Sequence, residues 1–394
     1  MLPVSETVFW ISFIIIFYTY AGYPLLLLML VYIKKIIRPA SGPKEMINQY
    51  EPVTLLVAAY NEQEVIEEKI KNCLALDYPP DKLKLLFITD GSTDNTVSII
   101  KKYPLAGNLH QPVRKGKLAA MNRAMQFVDT DIVIFSDANT LLNRECINKI
   151  MSHYTDSKVG GVAGEKKILQ SEDGAVARGE GLYWKYESFL KHLDSQLYTT
   201  VGAAGELFSM RTALYTALPE NTIIEDFVQS LLLCQKGFVV KYEPGAFSLE
   251  KASLSVKDEM ERKTRISAGG FQAIIYLKKL FNVFRFPTLS FQYISHRVLR
   301  WTLCPIALVV LFIASIIAWL SQGSLIFGFF TLLQAVFYLM AGVGWLIARK
   351  NRDPGLFYLP FYFVLMNFCV FAGFMRFVTG KQGVMWQKAL RSKI

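Results

Sequence analysis

Leu83-Lys84-Leu85-Leu86-Phe87-Ile88-Thr89-Asp90-Gly91-Ser92-Thr93-Asp94 is the stretch that decides the fold. A run of strand formers over residues 83–89 ends on an aspartate, a turn follows, and helical spacing occupies residues 94–102. The same pattern recurs on either side. Residues 53–59 form a short apolar run, followed by Tyr60-Asn61-Glu62 and helical spacing over 62–76. Residues 117–128 read as a helix, and 132–136 as a strand that ends at Asp137. Strands alternating with helices predict an α/β domain with a mainly parallel sheet covered on both faces. Ligands of such sheets bind beyond the carboxyl ends of the strands. Asn61, Asp90 and Asp137 all fall at those ends, so they are expected to converge in space.

Hydrophobic stretches flank this domain. Residues 8–33 are almost wholly apolar, longer than the roughly 20 residues that span a bilayer. No Lys or Arg precedes the run and no small-residue cleavage site follows it, which argues against a signal peptide. Lys34, Lys35 and Arg38 come directly after it. Basic flanks stay cytoplasmic, so the expectation is an external N-terminus and a cytoplasmic domain in the inner (plasma) membrane. Residues 303–320, 325–348 and 356–378 are three further candidate spans. Arg349, Lys350 and Arg352 fit a cytoplasmic loop, but Lys381, Lys388, Arg391 and Lys393 would then be external if the last stretch crosses fully. That conflict has three solutions: the rule fails at this short tail, the last stretch re-enters, or the number of spans differs by one. Residues 266–301 mix aromatic and basic side chains, as expected of amphipathic helix in the headgroup layer. The expected organisation is a span in 1–38, a cytoplasmic domain over 50–265, interfacial helices over 266–301, three spans over 302–380 and a basic tail over 381–394.

Composition agrees. Of 394 residues, 52% are hydrophobic, and the formal net charge is +11. Mean hydropathy is +0.29 and the pI is near 9.2. Excess basic charge points to phosphate or anionic lipid; no nucleic-acid module pattern is present, so no nucleic-acid partner is expected. Five scattered cysteines without CxxC spacing support neither a zinc site nor a disulfide framework.

Several short segments carry chemistry. Asp137, with Asn139 two residues on, offers hard oxygen ligands to a divalent cation. Arg262 and Arg265 are spaced i, i+3 and share one helix face, suited to charge-assisted bonds to phosphate. Arg114-Lys115-Gly116-Lys117 is a basic turn before a helix, which also suits phosphate. Asp226 is a candidate general base. Each has an ordinary alternative. Asp90-Gly91-Ser92 alone is a common turn. Glu225 and Asp226 begin an apolar helical run, where acids favour the helix dipole. Arg262 and Arg265 would equally pair with Glu259 or Glu261. Together, in this order, the segments suit a metal-bound nucleoside diphosphate.

On these residues the chain resembles the family-2 glycosyltransferases, in the membrane-integrated branch that includes the synthases of cellulose, hyaluronan and poly-N-acetylglucosamine. The resemblance covers residues 50–270 and implies a GT-A nucleotide-sugar fold inserted between transmembrane helices. It implies that Ala59, Asn61, Glu62, Asp90, Lys117, Arg262 and Arg265 bind the nucleotide and its diphosphate. It assigns Mg²⁺ or Mn²⁺ to Asp137 and Asn139, catalysis to Glu225 and Asp226 with Asp226 as base, and the acceptor to Gly202, Ala203 and Ile266. Three positions depart from the family pattern. Asn139 replaces an Asp and removes one negative charge, Ile224 replaces a Thr, and Ile266 replaces a Trp. An aromatic face stacks on a sugar, so Ile266 argues against processive polymerisation.

The expected function is inverting transfer of a sugar from a nucleotide donor, UDP-linked by expectation, to a polysaccharide or lipid-linked acceptor. One alternative is a single transfer to polyprenyl phosphate. Another, from a different class, is an inactive nucleotide-sugar-sensing scaffold.

Overall fold

The computed structural model describes residues 4–38, 50–169, 175–251, 255–350 and 352–383. The tail beyond residue 383 lies outside the described residues. Two compact units emerge, one containing the described residues of 34–169, 181–252 and 383–394, the other those of 1–33, 170–180 and 253–382.

The first unit is built on an eight-stranded sheet. Its strands are β1 (Val53–Ala59), β2 (Leu83–Asp90), β3 (Ala106–Gln111), β4 (Ile132–Asp137), β5 (Leu141–Leu142), β6 (Val159–Leu169), β7 (Leu207–Arg211) and β8 (Val239–Lys251). They lie in the order β3-β2-β1-β4-β7-β6-β8-β5. β1 reads Val-Thr-Leu-Leu-Val-Ala-Ala and is buried at six of its seven positions, as a strand with helices on both faces must be. Its register pairs Ala58 with Asp137 of β4 and Ala59 with Thr89 of β2. The carboxyl ends of three adjacent parallel strands are thereby level. Sequential strands β1, β2 and β3 step one way from β1 and β4 lies on its other side, which makes the β1–β4 boundary a topological switch point.

The predicted parallel character holds for β1 to β4. Beyond them the sheet is mixed, because β7 pairs antiparallel with both β4 and β6, while β6 and β8 pair parallel. The chain enters β7 from the small-residue turn at 202–205, on the ligand side of β4, so β7 runs back along it. The helices are shorter than their periodicity predicts: Ile66–Leu74, Thr96–Ile100 and Lys117–Ala124, the last followed by a 3₁₀ turn at Met125–Phe127. The lost residues form the loops at the strand ends. The core beneath the site unites Val53, Leu55 and Val57 with Ile66, Ile70, Phe87 and Ile134.

The second unit is helical. Val4–Ile37, Leu303–Gln322, Leu325–Ala348 and Gly355–Val378 are long and apolar enough to cross a membrane. The first includes a π-helical turn at Tyr18–Gly22. Phe9 of this helix packs with Leu311, Ala314, Ala318 and Phe327 of the next two. Outward side chains such as Leu325 and Leu339 are largely exposed, as lipid-facing positions would be. The helix Val256–Tyr276, here called the motif helix, carries Arg262, Arg265 and Ile266. It runs unbroken across residue 265.

Candidate active site

Asp90 closes β2 as a buried carboxylate. Its Oδ2 accepts from the backbone N–H groups of Lys115 (3.0 Å) and Gly116 (2.6 Å). Its Oδ1 is buried and has no hydrogen-bond partner among the described residues. A buried acceptor left unpaired costs free energy, so this oxygen is a built position for a donor from a ligand. The loop demands Gly91, which has φ +67°; a Cβ there would lie 2.7 Å from the Arg114 backbone nitrogen. Gly116, at φ +102°, likewise turns the chain into the helix beginning at Lys117.

Asn61 follows β1 in the left-handed region at φ 53°, a conformation that Asn tolerates better than most residues. Its N–H donates to Ser92 Oγ (3.1 Å) and its Oδ1 accepts from the Thr93 N–H (2.8 Å). The Glu62 N–H donates to Thr96 Oγ1 (2.8 Å), and Asp94 accepts from the N–H groups of Gln63 and Thr96. These bonds knit the β1 and β2 loops into one wall. Ala59, Glu62, Asp90, Lys117, Asp137 and Asn139 line one cleft. Arg114, which also lines it, lies 3.7 Å over the ring of Tyr60.

Lys117 sits at the centre of the acids. Its Nζ is 2.8 Å from Asp137 Oδ1 and 3.2 Å from Glu225 Oε1. Burial pulls the ammonium down, but Asp137 and Glu225 outweigh it and hold it well above its ordinary value. Asp226 lies on the same helix as Glu225, in the first turn of Glu225–Gln235. It lines a cavity with Lys117, Asp137, Gly205, Tyr215 and Gln229. Burial, reinforced by the charge of Glu225, raises its carboxyl to about 7, against the pull of Lys117. Burial also raises Asp137, with Lys117 opposing and Glu206 adding to the rise. A carboxyl poised near neutrality in a cleft is suited to proton abstraction.

Asp137 and Asn139 would offer one carboxylate and one amide to a divalent cation, and Lys117 already engages one Asp137 oxygen. Among the described residues no group of three or more His, Cys, Asp or Glu side chains is arranged to hold a metal. The donor set fits Mg²⁺ or Mn²⁺ as a shared site, in which substrate phosphates complete the shell, the usual arrangement for a hard cation with few protein ligands.

The small-residue segment is shaped by close packing. A Cβ on Gly202 (φ +86°) would lie 2.3 Å from the Phe227 ring, and one on Gly205 would lie 3.4 Å from Asp226 Oδ2. Gly202 and Ala203 are buried, and the Ala203 N–H donates to Ser230 Oγ (3.1 Å). Gly205 is the member that lines the Asp226 cavity. In the helical unit, Arg262 Nε and Nη2 both donate to Glu259 Oε2 (3.1 and 2.8 Å). Arg265 and Ile266 follow on the same helix.

Two contributors escaped the sequence reading. Lys69 is fully buried, and its Nζ donates to Ser136 Oγ (2.7 Å) and to the Thr140 carbonyl (2.8 Å). It braces both ends of the Asp137–Asn139 loop. Its signal was available, since Ile66, Lys69, Ile70 and Cys73 share one helix face. Glu206 is held by the buried Lys166, which also pairs with Glu250. No local pattern marks that trio. The five cysteines are free and buried.

Residues 54–217 match the sequence pattern described as glycosyl transferase family 2. Over these residues the chain carries a glycosyl transferase family 2 region. Among relatives of this chain is the poly-beta-1,6-N-acetyl-D-glucosamine synthase of Staphylococcus aureus, 25% identical over 244 residues, 59% of this chain and 58% of the synthase. The chain thus spans a little under six-tenths of the length of that relative. The probable glycosyltransferase YdaM of Bacillus subtilis is 21% identical over 266 residues, 61% of each protein. Among solved structures, the mannosyltransferase PcManGT of Pyrobaculum calidifontis, in complex with GDP-Man and Mn²⁺, shares the fold. It aligns with a TM-score of 0.71 at 20% identity, over 96% of this chain and 100% of that one. The family-2 pattern ends at residue 217, ahead of Glu225, Asp226, Arg262 and Arg265.

Proposed function

We propose that this chain is a membrane-bound inverting glycosyltransferase that moves a sugar from a nucleoside-diphosphate donor to a polysaccharide or lipid-linked acceptor. The observation that carries the reading is the cleft in which Asp90, Asp137, Lys117, Glu225 and Asp226 converge from four separate segments.

Asp226 takes the proton of the acceptor hydroxyl. The acceptor oxygen forms a bond to the anomeric carbon as the bond from that carbon to the diphosphate breaks, and the configuration inverts. A carboxyl near 7 is ionised in about half of the molecules at neutral pH and in more as pH rises, while remaining basic enough to take the proton. Asp90 Oδ1 accepts a hydrogen bond from the nucleotide. Asp137 and Asn139 would hold Mg²⁺ or Mn²⁺, which neutralises charge on the leaving diphosphate. Lys117 bridges Asp137 and Glu225. Arg262 and Arg265 are assigned to the diphosphate on the family resemblance alone. The PcManGT complex with GDP-Man and Mn²⁺ and the likeness to a polysaccharide synthase support a nucleotide-sugar donor with a divalent ion.

The test uses the full chain in lipid nanodiscs, with UDP- and GDP-sugars screened for nucleotide release under Mn²⁺, Mg²⁺ or EDTA, beside Asp226→Asn. Release that needs metal and disappears in the variant supports the reading. The size of the radiolabelled product then separates one addition from many. A donor that binds but is never consumed, with membrane lipid extract supplied as acceptor, overturns it.

A further inference from the structure

The last apolar helix, Tyr358–Val378, satisfies the length and hydropathy of a span and touches Leu325–Ala348 through Phe363 on Phe337, but its other long neighbour is wrong for a span. It lies along the motif helix Val256–Tyr276. Tyr362 Oη donates to Glu259 Oε1 (3.0 Å), and Cys369 Sγ donates to the Met260 carbonyl (3.6 Å). Arg376 grips both oxygens of Glu261, with Nη2 2.6 Å from Oε2. Gly373 is in such close contact that a Cβ would lie 2.8 Å from the Thr264 carbonyl oxygen and the Ala268 nitrogen. Phe271 packs against Phe374 (5.0 Å) and Phe377 (6.2 Å). Residues 362–377 are thus matched, turn by turn, by residues 259–271.

Two helices in contact over that length share one depth. The matched stretch of the motif helix carries Glu259, Glu261, Arg262, Lys263 and Arg265, five charged residues within seven. A charge at the centre of a bilayer is costly on every scale. Such a segment is excluded from the hydrocarbon core, and it keeps its neighbour out with it. By contrast, Leu303–Gln322 and Leu325–Ala348 contain no charged residue.

The outer side of the last helix completes the picture. Phe368, Phe371, Met375 and Val378 are 55%, 40%, 58% and 62% exposed, at spacings of three, four and three residues. With Phe374, 44% exposed and in contact with Phe271 at its edge, they form a broad apolar surface. The one charge of this helix, Arg376, turns to the motif helix, and the apolar surface suits contact with lipid.

We infer that Tyr358–Val378 does not cross the membrane. It lies at the lipid surface with its apolar surface in the acyl boundary, it supports the motif helix from below, and the chain crosses the bilayer three times. Lys381 then falls on the same side as Arg349, Lys350 and Arg352, which removes the charge conflict left by a full crossing. The inference does not depend on which side that is, nor on the proposed activity.

Single reporter cysteines decide it, because the five native cysteines are buried and the native chain serves as the unlabelled control. Gly323→Cys, Arg352→Cys and Lys381→Cys are placed one at a time in the full chain and exposed to a membrane-impermeant maleimide, in sealed and in permeabilised cells. The expected result is that Arg352→Cys and Lys381→Cys label together and Gly323→Cys labels oppositely. Lys381→Cys labelling together with Gly323→Cys overturns the inference. A C-terminal fusion of the full chain, to a fluorescent protein that matures only inside or a phosphatase active only outside, reads the side of the tail independently. A tail found opposite Arg352→Cys by that route overturns it equally.

Discussion

Two clusters of buried charge, one in each unit, are built in opposite senses. Around Lys117, one ammonium meets Asp137 and Glu225 directly, with Asp226 close by. Around Glu259, one fully buried carboxylate meets Arg262, the Lys263 ammonium at 3.7 Å and the Tyr362 hydroxyl. The first has acid to spare, and the surplus appears as carboxyls lifted above their usual range. Its unmet demand is for a cation or a proton, which is what a reaction supplies. The second has donors to spare around a single acceptor, so Glu259 is satisfied and ties two helices together. Buried charge alone therefore does not mark an active site; an imbalance facing a cleft does.

The sharpest break of this comparison is Asp226→Asn. Removing a general base lowers turnover on the order of 10²–10⁴-fold, read as nucleotide release, while donor binding by calorimetry persists. The same variant tests the imbalance through stability. A carboxyl raised to about 7 when folded contributes stability that is full below its unfolded value near 3.9 and is lost as pH rises toward 7. Asp226→Asn is therefore expected to melt above the native chain at pH 8, with the gap narrowing toward pH 5. In the native chain, the rate rises with pH through about 7. A flat profile between pH 6 and 8 counts against Asp226 as the base.

Lys117→Met removes the cation from the acid-rich cluster. The loss of charge-assisted contacts, about 1.5–3 kcal/mol each, corresponds to a fall in kcat/KM of roughly 10–100-fold. Because Lys117 pulls the Asp226 carboxyl down, the acid limb of the pH–rate profile should move upward. An unmoved limb would show that the two groups are not coupled.

Lys69→Met tests whether the brace behind the metal loop matters beyond folding. Loss of a supporting contact behind a metal ligand costs about tenfold in metal affinity. The expected outcome is a tenfold weaker Mn²⁺ binding by electron paramagnetic resonance, with nucleotide affinity in the absence of metal unchanged. Equal loss of both would make Lys69 a general support of the fold.

The smallest effect belongs to the satisfied cluster. Tyr362→Phe deletes one donor to Glu259 and costs about 1.5–3 kcal/mol of stability, read as a lower Tm in detergent. Activity per folded molecule should change by less than twofold on the order-of-magnitude scale of a remote contact. A selective fall in activity would extend the role in the reaction from Arg262 to Glu259 and Tyr362 and erase the contrast between the two regions.

The amino-acid sequence alone determined the elements at the strand ends. β1 lies over Val53–Ala59 as its pattern predicts, and β2 and β4 each run one residue further, onto Asp90 and Asp137. It also determined the long apolar helices, because burial and lipid exposure both leave their mark on the identities of consecutive residues. Tertiary structure alone decided which charges meet. Nothing local joins Lys117 to Glu225, 108 residues away, or Lys69 to Thr140. The antiparallel insertion of β7 is equally invisible, since a strand's side-chain alternation is the same whichever way its neighbour runs. The last helix shows the division most plainly: its composition makes it apolar enough to cross a membrane, and only the charged helix packed along it decides its depth. Composition reports what a segment tolerates, and the partner brought to it through long-range folding determines where it rests.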